Sequence, residues 1–415
     1  MAYKIIYDEE EIIMIISADR IITGDGSTVL NNAALLTDDQ GIIRKIGSIE
    51  QLKALNPGEH IREYTGATLL PGLIDMHVHI GYWWEKPDGF EYNDFMIAYM
   101  TLSNAHKAFA AGVTTMRDVS SPHLLCTTMN KAAQKDYIQI PRIIGCDTGL
   151  CMTGGHGYEI AGGIREVNGP WELRAAIREC IKSGAQWIKI LTSHRTNTPE
   201  YTQEELNAAA DECHRLGKKI CVHAGTQPSI QMCIDAGYDT IEHGTFMTME
   251  QAREMADKGI AWVPTITAYT CTYERLEENK GKEVFGTFAD YVAFKESEYF
   301  REAAQAYRNN FGQFIKTGVK VVTGTDLVYY GAPITPVARE MQYMVDYGME
   351  PIKAIQAATS NGAEVLGLSD RIGLIGENHI ADLLVVEGDP LEDITNMAKV
   401  VEVYYGGKSV YRKSN

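Results

Sequence analysis

The sequence predicts an α/β protein whose larger part is a (β/α)8 TIM barrel, joined to a small β-sandwich-like domain built from both termini. Three observations carry that expectation. From residue 69 onward, short apolar, β-branched runs alternate with helical patterns, and eight such runs can be counted. Alternation of this kind over ~250–300 residues implies parallel strands with crossover helices, and eight strands make a closed barrel the leading form. The two ends of the chain instead carry short strand-like runs separated by turns. A doubly wound open sheet is the alternative, but no GxGxxG phosphate loop supports it.

The elements follow in order. Runs at 12–16, 20–23, 33–36 and 42–46 are separated by Gly24-Asp25-Gly26 and Asp38-Asp39-Gln40-Gly41, turn residues in both cases. The barrel strands are expected at 70–78, 113–119, 142–146, 187–191, 219–223, 240–243, 261–265 and 319–323. Helices are expected at 171–183, 203–216, 227–236 and 249–258, with Thr202 as a cap and Gly217 as a stop for the second. Two strand-like runs close the chain at 381–386 and 400–405. The expected division is therefore 1–67 with 376–415 as the β-domain and 68–375 as the barrel. Two loops stand out: 81–92 is aromatic (Tyr82, Trp83, Trp84, Phe90, Tyr92), and 268–317 is too long for an ordinary connection. The second is expected to act as a lid or an oligomer contact.

Bulk properties narrow the function classes. A hydrophobic fraction of 45% and a charged fraction of 22% are those of a globular protein. A formal net charge of −17 argues against nucleic acid, whose phosphates need a basic surface. The eight cysteines form no CxxC pair and read as buried thiols rather than a disulfide scaffold. Asp8, Glu9, Glu10 and Glu11 do not fit a signal-peptide n-region, and the apolar run at 12–16 is far short of the ~20 residues of a membrane span. The expectation is a cytoplasmic homo-oligomer acting on a small molecule, with neither nucleic acid nor membrane as partner.

The chemistry starts at His77-Val78-His79. Residues two apart on a strand face the same way, so both imidazoles are aimed together, and imidazole pairs suit metal ions. The plain alternative is two hydrogen-bonded histidines at a strand end. In a barrel, functional groups sit at the C-terminal strand ends, and four more residues occupy such places: Lys189, His223, His243 and Asp326. A lone histidine there is often structural, and an aspartate after a strand is often a helix cap. Lys189, inside Trp187-Ile188-Lys189-Ile190-Leu191, is the hardest to explain that way. A buried ammonium is costly unless it is neutralised or paired. Carbamate formation with CO2 would remove the cation and create an anion able to bridge two metals.

The run from Pro71 to His79, the strand lysine, the two single histidines and Gly324-Thr325-Asp326 together resemble the amidohydrolase superfamily. Thr359-Ser360-Asn361-Gly362-Ala363 and the run from Gly376 to Val385 are similar to its closing pattern, so the likeness covers nearly the whole chain. Met152-Thr153-Gly154-Gly155-His156-Gly157 and Ile241-Glu242-His243-Gly244-Thr245 look like the prolidase-like, imidazolonepropionase-related branch, which includes metallo-dipeptidases.

The resemblance implies two divalent ions, zinc foremost. His77, His79 and Asp326 would hold one, His223 and His243 the other, and a carboxylated Lys189 would bridge them. It also implies hydrolysis of a C–N amide or peptide bond in a small dipeptide or N-acyl amino acid, by a metal-bridging hydroxide with Asp326 as proton shuttle. His156 would orient the carbonyl or stabilise its oxyanion, and Tyr82 and Trp83 would line the substrate pocket. The chain leaves the branch pattern at Thr192-Ser193-His194-Arg195, where Ser-Gly-Gly is usual, and at Ala224-Gly225, where Ala-Tyr is usual. His194 or Arg195 would then grip a substrate carboxylate. The alternatives are a one-metal cyclic amidase or deaminase-like enzyme, disfavoured by Lys189, and a non-catalytic barrel, disfavoured by retention of every ligand position.

Overall fold

The computed structural model describes residues 13–81, 93–158, 162–193, 198–280, 295–326 and 333–414. Tyr82, Trp83, His194 and Arg195 lie outside the described residues. Two compact units divide the chain: Met1–Asp75, His106–Thr115 and Val337–Asn415 form one, Met76–Ala105 and Met116–Pro336 the other. The fold is mixed α/β, and its sheets are consistent with a barrel-type domain plus a β-domain.

The first unit carries a seven-stranded sheet drawn from both ends of the sequence, with Met14–Ile22 near its middle. That strand pairs antiparallel with Val29–Thr37 and parallel with His60–Pro71. The latter pairs antiparallel with Leu383–Glu387. Residues 14–16 and 20–22 of the two expected runs thus belong to a single strand, with a register shift between Ala18 and Arg20 joining them. The alternate side chains Ile16, Ile21, Leu35, Leu69, Leu383 and Val385 are fully buried and form one core cluster. Asp25 makes the predicted turn by accepting from the backbone N–H groups of Ser27 (2.8 Å) and Thr28 (2.7 Å).

The expected strand 70–78 splits at Gly72. Leu70 and Pro71 belong to His60–Pro71, and Leu73–Val78 is a separate strand. A β-carbon at Gly72 would lie 2.2 Å from Thr114 Oγ1, so glycine is required at the break.

In the second unit, Gly149–Cys151, Trp187–Leu191, Lys219–Ala224, Thr240–His243 and Ala261–Val263 run parallel in that order, with Ile164–Glu166 added beside the first. Leu73–Val78, Val113–Asp118 and Arg142–Gly145 form a three-stranded sheet. The third expected strand is present as Arg142–Gly145; beyond Asp147, which takes a positive φ of 55°, the additional short strand Gly149–Cys151 joins the other sheet. The segment 319–323 is a bridge rather than a strand. Val321 pairs with Trp262, and Met76 N–H donates to Thr323 O at 2.8 Å.

Helices Gln227–Ala236 and Met249–Lys258 fall where the sequence puts them. Thr202 and Glu205 close a capping box on Gln203–Arg215. All eight cysteines are free thiols, seven of them buried. Among the described residues no helix is long and apolar enough to cross a membrane.

Candidate metal centre

Leu73–Val78 is buried along its whole length, and the two-residue period aims His77 and His79 to one side. His77 Nδ1 donates to Glu242 Oε2 at 2.8 Å, and His79 Nδ1 donates to the Ser120 carbonyl at 3.0 Å. Those partners fix the tautomers, so Nε2 of each ring carries the lone pair and faces Asp326 Oδ1, at 3.6 Å and 3.4 Å. These distances are too long for hydrogen bonds. They do match the separation of about 3.4 Å between two ligand atoms that each sit ~2.1 Å from a tetrahedral ion. His77, His79 and Asp326 each offer a ligand atom, and all three atoms lie within 4.8 Å of one another.

Asp326 is held against the strand by its own backbone, with its N–H donating to His77 O at 2.9 Å. The chain reaches that place through Gly324, where a β-carbon would come within 2.4 Å of Val263 Cγ1 and 2.8 Å of His77 Cβ.

His243 approaches from the end of Thr240–His243. Its Nδ1 lies 2.7 Å from Thr265 Oγ1 and 3.9 Å from Asp326 Oδ2. Its Nε2 is buried without a hydrogen-bond partner. Three residues here take positive φ without being glycine: His243 (67°), Thr265 (50°) and Asp326 (43°). Such strain persists only where the surroundings impose it, and it gathers at functional sites. The surroundings are visible at His243, whose carbonyl accepts from Trp262 Nε1 at 2.7 Å. The Tyr307 hydroxyl lies 3.1 Å from that carbonyl and 2.7 Å from Pro264 O.

The His223 ring packs edge-on to His243, with centroids 4.3 Å apart, and stacks on His156 at 4.0 Å. His156 belongs to a glycine-rich loop pinned by two carboxylates. Glu166 accepts from Gly154 N–H (2.7 Å) and Glu200 from His156 N–H (3.0 Å). Lys189 is buried, and its Nζ has no hydrogen-bond partner.

Burial pushes His77 well below the usual histidine range and His79 down to about 4, the latter despite its hydrogen bond to the Ser120 carbonyl. Burial and the neighbouring His77 do the same to His243. All three imidazoles are therefore neutral at pH 7, the form that binds metal.

The structure brings His77, His79, His156, His223, His243 and Asp326 into one cluster, with Lys189 in electrostatic reach of three of the rings. The sequence reading did not single out Glu242 or Arg117, both fully buried. Arg117 Nη2 donates to Glu242 Oε1 at 2.7 Å, Nη1 to Thr240 Oγ1 at 3.0 Å, and Nε to Met76 O at 2.7 Å. No local oddity like that of Lys189 marks them: Thr114, Thr115 and Asp118 share the strand of Arg117, and Thr240 and His243 share that of Glu242.

The orphaned Lys189 Nζ and His243 Nε2, together with neutral imidazoles facing a carboxylate, fit a centre for divalent metal ions.

The sequence pattern of the amidohydrolase family matches residues 68–410. An Aspergillus niger ochratoxinase is 29% identical, with 96% of this chain and 87% of that protein aligned. An imidazolonepropionase of Pyrobaculum arsenaticum is 23% identical, over 90% of this chain and 92% of its own. Among solved structures, a Xaa-Pro dipeptidase with methionine bound in its active site superposes with a TM-score of 0.85 at 30% identity, covering 97% of this chain and 100% of that one.

Proposed function

Since the chain belongs to the amidohydrolase family, whose members here are hydrolases of C–N bonds, we propose that it is a two-metal amidohydrolase cleaving an amide or peptide bond in a small dipeptide or N-acyl amino acid. The observation that carries this reading is Lys189, a buried amine whose Nζ meets no hydrogen-bond acceptor among the described residues. Addition of CO2 to the neutral amine forms an N–C bond and releases one proton. It leaves a carbamate whose two oxygens can serve two ions. A one-metal cyclic amidase has no use for such a lysine. The ochratoxinase and the Xaa-Pro dipeptidase among the relatives support an amide or peptide bond as the target.

In this reading the strands expected from the sequence close into a (β/α)8 barrel. His77, His79 and Asp326 would hold one ion and His223 and His243 the other, with a carboxylated Lys189 serving both. The ligand set suits zinc and also accepts manganese, iron or cobalt. Bound there, the ions supply Lewis acidity toward a carbonyl and toward water. The protein's own groups do the rest. The Asp326 carboxylate takes the proton of the attacking water and returns it to the departing nitrogen. His156, stacked on His223, presents a ring N–H to the oxygen that gains charge. Its loop is fixed in advance by Glu166 and Glu200, so the donor need not be reoriented during reaction.

The test combines metal analysis with a substrate screen. Protein loaded with metal and bicarbonate should contain two equivalents and hydrolyse members of a panel of dipeptides and N-acyl amino acids. Lys189→Ala should fall to one equivalent or fewer and lose turnover. A single equivalent that survives Lys189→Ala unchanged would favour the cyclic amidase reading.

A further inference from the structure

We infer that Glu242 is the positioning residue for the His77 side of the metal centre, and that Arg117 locks it in that role. The inference rests on the two-ion reading above but concerns residues that reading does not use. Glu242 and Arg117 are both fully buried, on the short strands Thr240–His243 and Val113–Asp118. An ion pair at such depth is rarely worth more to stability than a well-packed apolar pair, so stability alone does not explain it.

The connections point to the metal centre instead. Glu242 divides its two oxygens: Oε2 takes the Nδ1–H of His77 at 2.8 Å, and Oε1 takes Arg117 Nη2 at 2.7 Å. Arg117 also donates to the carbonyl of Met76, the residue before His77, and its guanidinium lies 4.7 Å over the Trp187 ring. One ion pair thus grips His77 twice, at its ring and at the backbone that carries it. An anion on Nδ1–H enriches Nε2, the nitrogen facing Asp326, and fixes the ring's tautomer and tilt.

The local backbone is arranged to allow this. Neighbouring residues on a regular strand point to opposite faces. Glu242 and His243 nevertheless both reach the histidine cluster, because His243 turns into the left-handed region as the strand ends. One dipeptide therefore serves both halves of the centre: Glu242 through His77, and His243 through its own ring.

The test is a stepwise titration of the chelator-stripped protein with Zn2+ in bicarbonate buffer, read by calorimetry and metal analysis. Three variants are compared: Glu242→Gln, the double variant Glu242→Gln/Arg117→Met, and His79→Ala, which marks the step belonging to the His77–His79 side. The double variant leaves no lone buried cation, so it stays informative if Glu242→Gln alone does not fold. The step lost in His79→Ala should weaken by about 10- to 100-fold in the glutamine variants, with the other step unchanged. Affinity at both steps equal to wild type, or an equal loss at both, would overturn the inference. Should wild type bind a single ion, the two-ion reading fails separately. Weakening of that one step would still support Glu242, and its persistence would overturn the role.

Discussion

His77 and His79 leave a regular strand two residues apart, whereas His243 sits at a strand end with φ at 67°, its carbonyl taken by Trp262 and its Nδ1 by Thr265. The first half of the centre is aimed by strand periodicity, and its ligand atoms already converge with Asp326 within 4.8 Å. The second half is aimed by tertiary contacts, and it holds the unpartnered Lys189 Nζ and His243 Nε2. The difference teaches that the first half is preset by the backbone, with two Nε2 lone pairs facing one carboxylate oxygen at distances that suit a shared ion. The other has buried atoms without a hydrogen-bond partner, which the carbamate and second ion of the proposed function would engage.

The largest effect should come from the residue shared by both halves. Asp326 Oδ1 faces His77 and His79, while Oδ2 lies 3.9 Å from His243. Asp326→Asn keeps the shape and one ligand oxygen but cannot carry a proton. Turnover should fall by about 10²–10⁴-fold while most of the metal is retained, measured by kcat alongside metal content. Unchanged kcat would remove Asp326 from the proton path.

A smaller effect separates the halves. Thr265→Ala deletes the hydroxyl beside His243 Nδ1 and eases a β-branched residue at positive φ. One metal step should weaken by about tenfold and the other stay unchanged, with Thr265→Ser restoring it. Equal weakening of both steps would mean that the two halves are not held independently.

The same contrast explains what the sequence made legible. Period-two spacing exposes His77 and His79, and their partners in strand order expose Lys189, His223, His243 and Asp326. The left-handed turn at His243 and its Thr265 and Trp262 partners depend on contacts between distant segments. No local pattern announces those. Five strands of the seven-stranded sheet were readable as runs at both ends, whereas His60–Pro71 and Lys408–Arg412 were not. The strand expected over 70–78 in fact splits at Gly72, beside Pro71, where Thr114 crowds the backbone. Glu242 and Arg117 sit in strands of mixed polarity, and only their pairing gives them meaning.

The smallest expected effect is a dependence on pH confined to the first half. Asp118 is fully buried and supports the residue after His79, accepting from Ile80 N–H at 2.8 Å and from the Ser121 hydroxyl at 2.9 Å. Burial pushes its carboxyl up to about 7 despite those two donors. The sign follows from linkage: a group whose pKa is raised on folding contributes stability that is full below its unfolded value, near 3.8, and is lost as pH rises through about 7. Asp118→Asn cannot ionise and removes that slope. The melting temperature of the metal-free wild type, compared with Asp118→Asn, should therefore drop by about 3 °C between pH 4 and pH 7.5, and stay level above that. Parallel curves would show that the Ile80 and Ser121 donors hold the carboxylate charged throughout. The stiffness of the His79 side would then owe nothing to a neutral Asp118.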